Sequence, residues 1–178
     1  MAGIFVASAC GPDLTGLLPA AVENRTDTVT VYAVSGTPVA TPSGYIIVSR
    51  QVVRIDQNPQ FDFAFDIDSS GRALIKSTGA MKLGQQSGVQ ITTTPFDSIQ
   101  IAPTGGYQED SAVVLNLNTV AILHSRAAQC NYDLQPSHHY FAKMHVTAID
   151  TVARSIQFEV LTDVNCGYRG LEPGLPKH

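Results

Sequence analysis

Charge is scarce in this chain of 178 residues: only 15% are Asp, Glu, Lys or Arg, against the ~25% usual in soluble domains. Eleven basic residues against fifteen acidic ones leave a formal net charge of −4. A nucleic-acid-binding domain would carry a basic stripe, so that class is excluded. No apolar run approaches the ~18 residues of a membrane-spanning helix. There is no Gly-x-Ser-x-Gly elbow, since Gln86-Ser87-Gly88 only grazes it, and no glycine-rich loop leads into a helix to cradle phosphate. The residues thus offer no nucleophilic machinery, and the chain reads as a non-enzyme. Its length suits one domain that buries about 70% of its unfolded surface.

Cysteine is also sparse, with three residues, an odd number for a disulfide framework. The first ends Ala7-Ser8-Ala9-Cys10, which resembles a bacterial lipobox, where the cysteine is acylated and becomes the mature N-terminus. The stub Met1-Ala2-Gly3-Ile4-Phe5-Val6 lacks the basic n-region and the apolar stretch of about 7–15 residues that a signal needs. Two readings stay open: a signal that begins upstream, or an N-terminal arm in which Cys10 is an ordinary small residue. With Cys10 lipidated, Cys130 and Cys166 form the natural disulfide pair of an oxidising compartment. Two free buried thiols are the alternative. The bridge would close a loop of about 35 residues and contribute about 3–4 kcal/mol.

The rest of the sequence reads as strands and turns. Residues 1–26 form a lipobox-like segment and tether, and residues 27–178 one β-domain whose tail is coil from about 164. Apolar–polar alternation predicts strands over Thr28–Val34, Tyr45–Ile55, Gln60–Ile67, Arg72–Thr78, Val89–Thr94, Ser111–Arg126, His138–Ala148 and from Ile156 onward. In Gln60–Ile67 the phenylalanines 61, 63 and 65 face a core, while Asp62 and Asp66 face water. Asp68-Ser69-Ser70-Gly71 is turn chemistry between a pair of strands. Along the next-to-last strand His138, Tyr140, Ala142, Met144, Val146 and Ala148 share one face, and Ile149–Arg154 is the connection. Eight or nine strands without helices predict an antiparallel β-sandwich, with Greek-key topology as one form; a closed β-barrel is the runner-up.

Several residues invite a chemical reading, and each has a plainer one. Asp66 to Gly71 imitates the start of a calcium loop, but Ser77 stands where the bidentate glutamate belongs. A hairpin turn explains it better. His138, His139, His145 and His124 are the histidine concentration, with His139 and His145 too far apart on a strand to chelate one ion. Asp62 and Asp66, ~13 Å apart along a strand, are too far separated for a glycosidase pair. No catalytic residue, metal ligand or cofactor is assigned. The tail residues Tyr168, Arg169, Leu171 and Glu172 are interface candidates, because Tyr and Arg are enriched at binding anchors. Packing of the tail over the end of the sandwich is the alternative, and the Gly/Pro loop near residues 35–44 is a second candidate contact.

The Ala-Ser-Ala-Cys start, the β-rich body and the ending from Cys130 through Asn165-Cys166-Gly167-Tyr168-Arg169 resemble small, uncharacterised exported lipoproteins of environmental bacteria. In overall character the chain is also similar to the membrane-extrinsic polypeptide of a bacterial photosynthetic reaction centre–light-harvesting complex. That resemblance implies a periplasmic, membrane-associated structural subunit that holds integral membrane subunits and carries no cofactor. It would touch the membrane through an N-terminal lipid or arm. The alternative is an exported β-domain that binds a small molecule or glycan, with Phe61, Phe63 and Phe65 lining its cavity.

Overall fold

The computed structural model describes residues 18–84, 86–130 and 138–177. Ten strands follow one another: β1 (Arg25–Tyr32), β2 (Gly44–Ile46), β3 (Gln51–Val53), β4 (Phe63–Ile67), β5 (Ala73–Ser77), β6 (Gly88–Thr92), β7 (Val113–Leu115), β8 (Val120–His124), β9 (Phe141–Asp150) and β10 (Ser155–Asp163). They form two five-stranded sheets, ordered β1-β10-β9-β8-β6 and β3-β2-β4-β5-β7, with each neighbouring pair antiparallel. Neither sheet closes on itself, so the molecule is a sandwich and not a barrel. Among the described residues the only helical element is a 3-10 turn, Phe96–Ser98.

Side chains alternate across each strand, so every second residue enters the space between the sheets. Val29 and Val31, Phe63, Phe65 and Ile67, Ala142, Met144 and Val146, and Ile156, Phe158 and Val160 meet there in one cluster. Phe158 is its centre, stacked on Phe65 with ring centroids 5.1 Å apart and edge-on to Tyr45 at 5.9 Å. The three phenylalanines read as possible cavity walls, Phe61, Phe63 and Phe65, are all buried in packed clusters.

Several strands differ from their sequence expectation, each for a physical reason. Tyr45–Ile55 is two strands, because Arg50 turns the chain through the left-handed region (φ 55°) between β2 and β3. Ser111–Arg126 is also two strands, and they lie in different sheets. Asn118 (φ 65°) makes the bend, its neighbours closed by Thr119 Oγ1 on the Asn116 amide at 2.8 Å. Asn tolerates that conformation better than other side-chain-bearing residues.

The expected wet face of β4 is dry. Ala64 packs with Ile46 and Phe61 on the outer side, and Asp62 and Asp66 are buried beside it. In β9 an extra residue at Thr147 shifts the register between Gln157 and Phe158. Such a bulge inverts the alternation beyond it. Ile149, read as part of a connection, therefore packs against the core, while Ala148 is exposed.

Candidate functional site

The outward face of the first sheet carries most of the unusual chemistry. Phe141, Lys143, Leu161, Val120 and Ile122 point away from the core there. A second layer covers them: the 3-10 turn, the segment Ile99–Ala102 and the C-terminal tail. Leu171 is fully buried in this layer with Ile99 and Ala102. That corrects its reading as an interface residue, since its side chain holds the tail to its own sheet. The tail is bound on both flanks by main-chain bonds. Ala102 N donates to Arg169 O at 2.8 Å and Leu171 N to Gln100 O at 2.7 Å, while Asn24 and Gly174 exchange bonds of 2.8 and 3.0 Å.

The other tail candidates have partly internal roles. The Tyr168 hydroxyl accepts the Ala20 amide at 3.2 Å, and Arg169 reaches the Ala102 carbonyl. Glu172 is half-buried, and its carbonyl accepts from Asn24 Nδ2 at 3.1 Å. Asn165 is the hub of this corner. Its Oδ1 accepts the amides of Ala21 and Val22 at 2.9 and 3.0 Å, and its Nδ2 donates to Val22 O at 2.8 Å. The described end of the N-terminal arm is thus stitched onto the tail. Cys130 and Cys166 are joined by a disulfide, Cα to Cα 5.7 Å, one residue beyond that hub. Cys10 lies outside the described residues.

Lys143 sits under the second layer and is 2% exposed. Its Nζ donates to Ile99 O at 3.0 Å and lies 4.7 Å from the centre of the Phe96 ring. Burial lowers its pKa, while the Asp97 and Glu172 carboxylates oppose that shift. Its strand position shares parity with His139 and His145, the face that reads as wet. The cover that hides it comes from residues 96–102 and the tail, which carry no periodic signal.

At the β6 end of the same face, His124 is buried. Its Nδ1 donates to Ser125 O at 2.9 Å and its Nε2 lies 3.4 Å from Glu109 Oε1. The His139 ring, centroid 4.4 Å away, points its own Nδ1 at the same carbonyl at 2.7 Å, and Tyr107 packs edge-on at 4.5 Å. Gly88 is required here, because a Cβ would collide with the His124 ring and the Tyr107 side chain. Burial lowers the His124 pKa, and the field of His139 adds to it. The sequence grouped the histidines but did not pair these two, which are brought together by the β8–β9 register.

Among the described residues no three His, Cys, Asp or Glu side chains gather to hold a metal ion. The residues of the imitation calcium loop are used locally: Asp66 binds Ser35 and Lys76, and Asp68 caps its own turn onto Arg72. Asp62 accepts the amides of Ile47 at 2.8 Å and Arg126 at 3.0 Å, which ties two loops to β4; burial raises its pKa against those bonds.

Beside β6 the second layer leaves a groove of about 480 Å³, whose lining mixes Ile91, Ile99, Ile101 and Pro103 with Gln90 and Thr92. No charged residue lines it. The crevice at the Gly/Pro loop, around Val34, Pro38 and Val39, is smaller, at about 160 Å³. The chain matches no protein-family model, no curated protein and no solved structure.

Proposed function

We propose that this chain is a structural subunit of the extracytoplasmic membrane surface, an exported β-sandwich that holds a larger membrane complex by contact and not by catalysis. The observation that supports it best is the path from the N-terminal arm into the body. Ala20, Ala21 and Val22 are gripped by Tyr168 and Asn165, the tail behind them is gripped by Gln100 and Ala102, and the Cys130–Cys166 bridge fastens that tail to the segment before β9. A domain tethered through its N-terminus transmits load along such a path without unravelling its end. The disulfide fits an oxidising compartment, and a lipidated Cys10 would supply the tether. Similarity of character makes a photosynthetic reaction centre inside its antenna ring the first complex to test.

A second reading, an exported domain that binds a small molecule or glycan, has the groove beside β6 in its favour, since its volume lies in the ligand-site range of about 300–1,000 Å³. One experiment separates the two. Native membranes are solubilised in mild detergent, the tagged chain is recovered, and its companions are quantified by mass spectrometry. The structural reading expects integral membrane subunits in stoichiometric amount. Recovery of the chain alone would sink it and leave the binding domain.

A further inference from the structure

We propose that the free edge of β6 takes up an extended, uncharged segment of the partner as an added strand. This inference rests on the structural-subunit reading. β6 ends the first sheet, paired to β8 on one side only. On its other side Val89 exchanges both main-chain bonds with Gln108, at 3.1 and 2.8 Å. In an antiparallel ladder alternate residues direct both groups to the same side. Ile91, two residues on, therefore presents its N–H and C=O outward, and no described residue pairs with them.

Sheet edges are normally guarded by charges, proline, a bulge, shortness or a covering loop; on β6 the Gln108 segment covers Val89 and leaves the edge open at Ile91, ahead of Pro95. The opposite edge follows that rule, for β1 carries Arg25 and Asp27 and is closed at its ends by Gly174 and Pro42. The stretch Gly88-Val89-Gln90-Ile91-Thr92-Thr93-Thr94 has no charge and no proline. Ile91 and Ile101, 46% and 45% exposed, flank the groove beside it.

The chemistry of the occupant follows from these surfaces. Main-chain donors and acceptors at an edge are matched by another polypeptide in extended form, with pockets for alternate side chains giving selectivity. The groove is uncharged, with Gln, Thr and Ser side chains beside its isoleucines, so it takes an uncharged side chain; a charged one would be stripped of water without a counter-ion.

The test uses the full tagged chain in three forms: wild type, Ile91→Lys, and Val114→Lys, the last at a 41% exposed position on the edge strand β7 of the other sheet. Each is incubated with detergent-solubilised native membranes, and recovered membrane subunits are quantified. The edge model expects Ile91→Lys to lose at least about tenfold in recovery and Val114→Lys to stay within about twofold. In parallel, a photo-cross-linking side chain at exposed Thr93, in an otherwise unchanged protein, maps the contact by mass spectrometry. That cross-link is expected in an uncharged run of a partner subunit, and it decides the matter if Ile91→Lys fails to fold. Equal recovery with a folded Ile91→Lys overturns the inference while the structural reading stands. A cross-link to a second copy of this chain, or to no polypeptide, overturns it as well. If the wild type recovers no membrane subunit, the structural reading fails and the inference falls with it.

Discussion

The space between the sheets and the outer layer on the first sheet are both buried, yet they are built from opposite materials. Between the sheets lie valines, isoleucines and phenylalanines, with Tyr45 the one large polar side chain at the centre. The outer layer has a small apolar cluster of five buried residues, and around it sit Lys143, Asp163, His124, Asn24 and Asn165, all buried. The inner region gains from area alone. The outer one is held by particular bonds, and it is where the arm, the tail, the disulfide and the groove converge. Shape is thus decided in the first region, and the proposed contact with a partner lies in the second.

The comparison breaks most severely at Phe158. Phe158→Ala removes the ring that both Phe65 and Tyr45 pack on, inside a space with little freedom to collapse. The expected loss is about 3–5 kcal/mol in denaturant-induced unfolding. A loss below about 1 kcal/mol would mean that the two sheets are not close-packed as described.

Alternation made the inner region legible in the sequence. Val29-x-Val31, Phe63-x-Phe65-x-Ile67 and Ile156-x-Phe158-x-Val160 mark their own inward faces, because a strand repeats every two residues. The hairpin at Asp68–Gly71 was equally plain. The outer layer was not, since it consists of irregular segments packed on a face that alternation marks as polar. Lys143, Asp62 and Asp66 look solvated in the sequence, and only tertiary cover makes them buried. The bulge at Thr147 and the left-handed turn at Asn118 hid for a related reason: each is a single-residue event inside an otherwise regular run.

The second test probes how the outer layer is fastened. Replacing Cys130 and Cys166 together by serine opens a loop whose ends are 36 residues apart in sequence. Chain entropy alone predicts a loss of about 3–4 kcal/mol. The loss falls on the region whose bonds are local, so hydrogen exchange is expected to quicken first at Leu171 and Asn24, before the amides of β4 and β10. Uniform quickening would show that tail and core open as one unit and would remove the distinction between the two regions.

The smallest effect is electrostatic and isolates one buried group. Asp163 is fully buried at the end of β10, where Oδ1 accepts from Asn165 N and Nδ2 at 2.9 Å each and Oδ2 has no hydrogen-bond partner. Burial raises its pKa above the usual carboxylate range to about 6, against the bonds from Asn165 and the field of Arg50. The folded protein therefore holds this proton more tightly than the unfolded chain does. Between about pH 4 and pH 6 the native state binds more protons, so stability falls as pH rises through that window. Buried His124 works in the reverse sense: its lowered pKa means that stability rises with pH up to its unfolded value near 6.5. Asp163→Asn keeps the acceptor that Asn165 uses and puts an uncharged amide where the orphaned oxygen stood. Melting temperatures measured from pH 4 to pH 7 are expected to decline less in the variant, which keeps the share due to Asp62, whose pKa burial also raises, and the histidine-driven rise. A parallel decline in wild type and variant would place the titrating group elsewhere, and would leave the outer layer without the ionisable strain that sets it apart from the core.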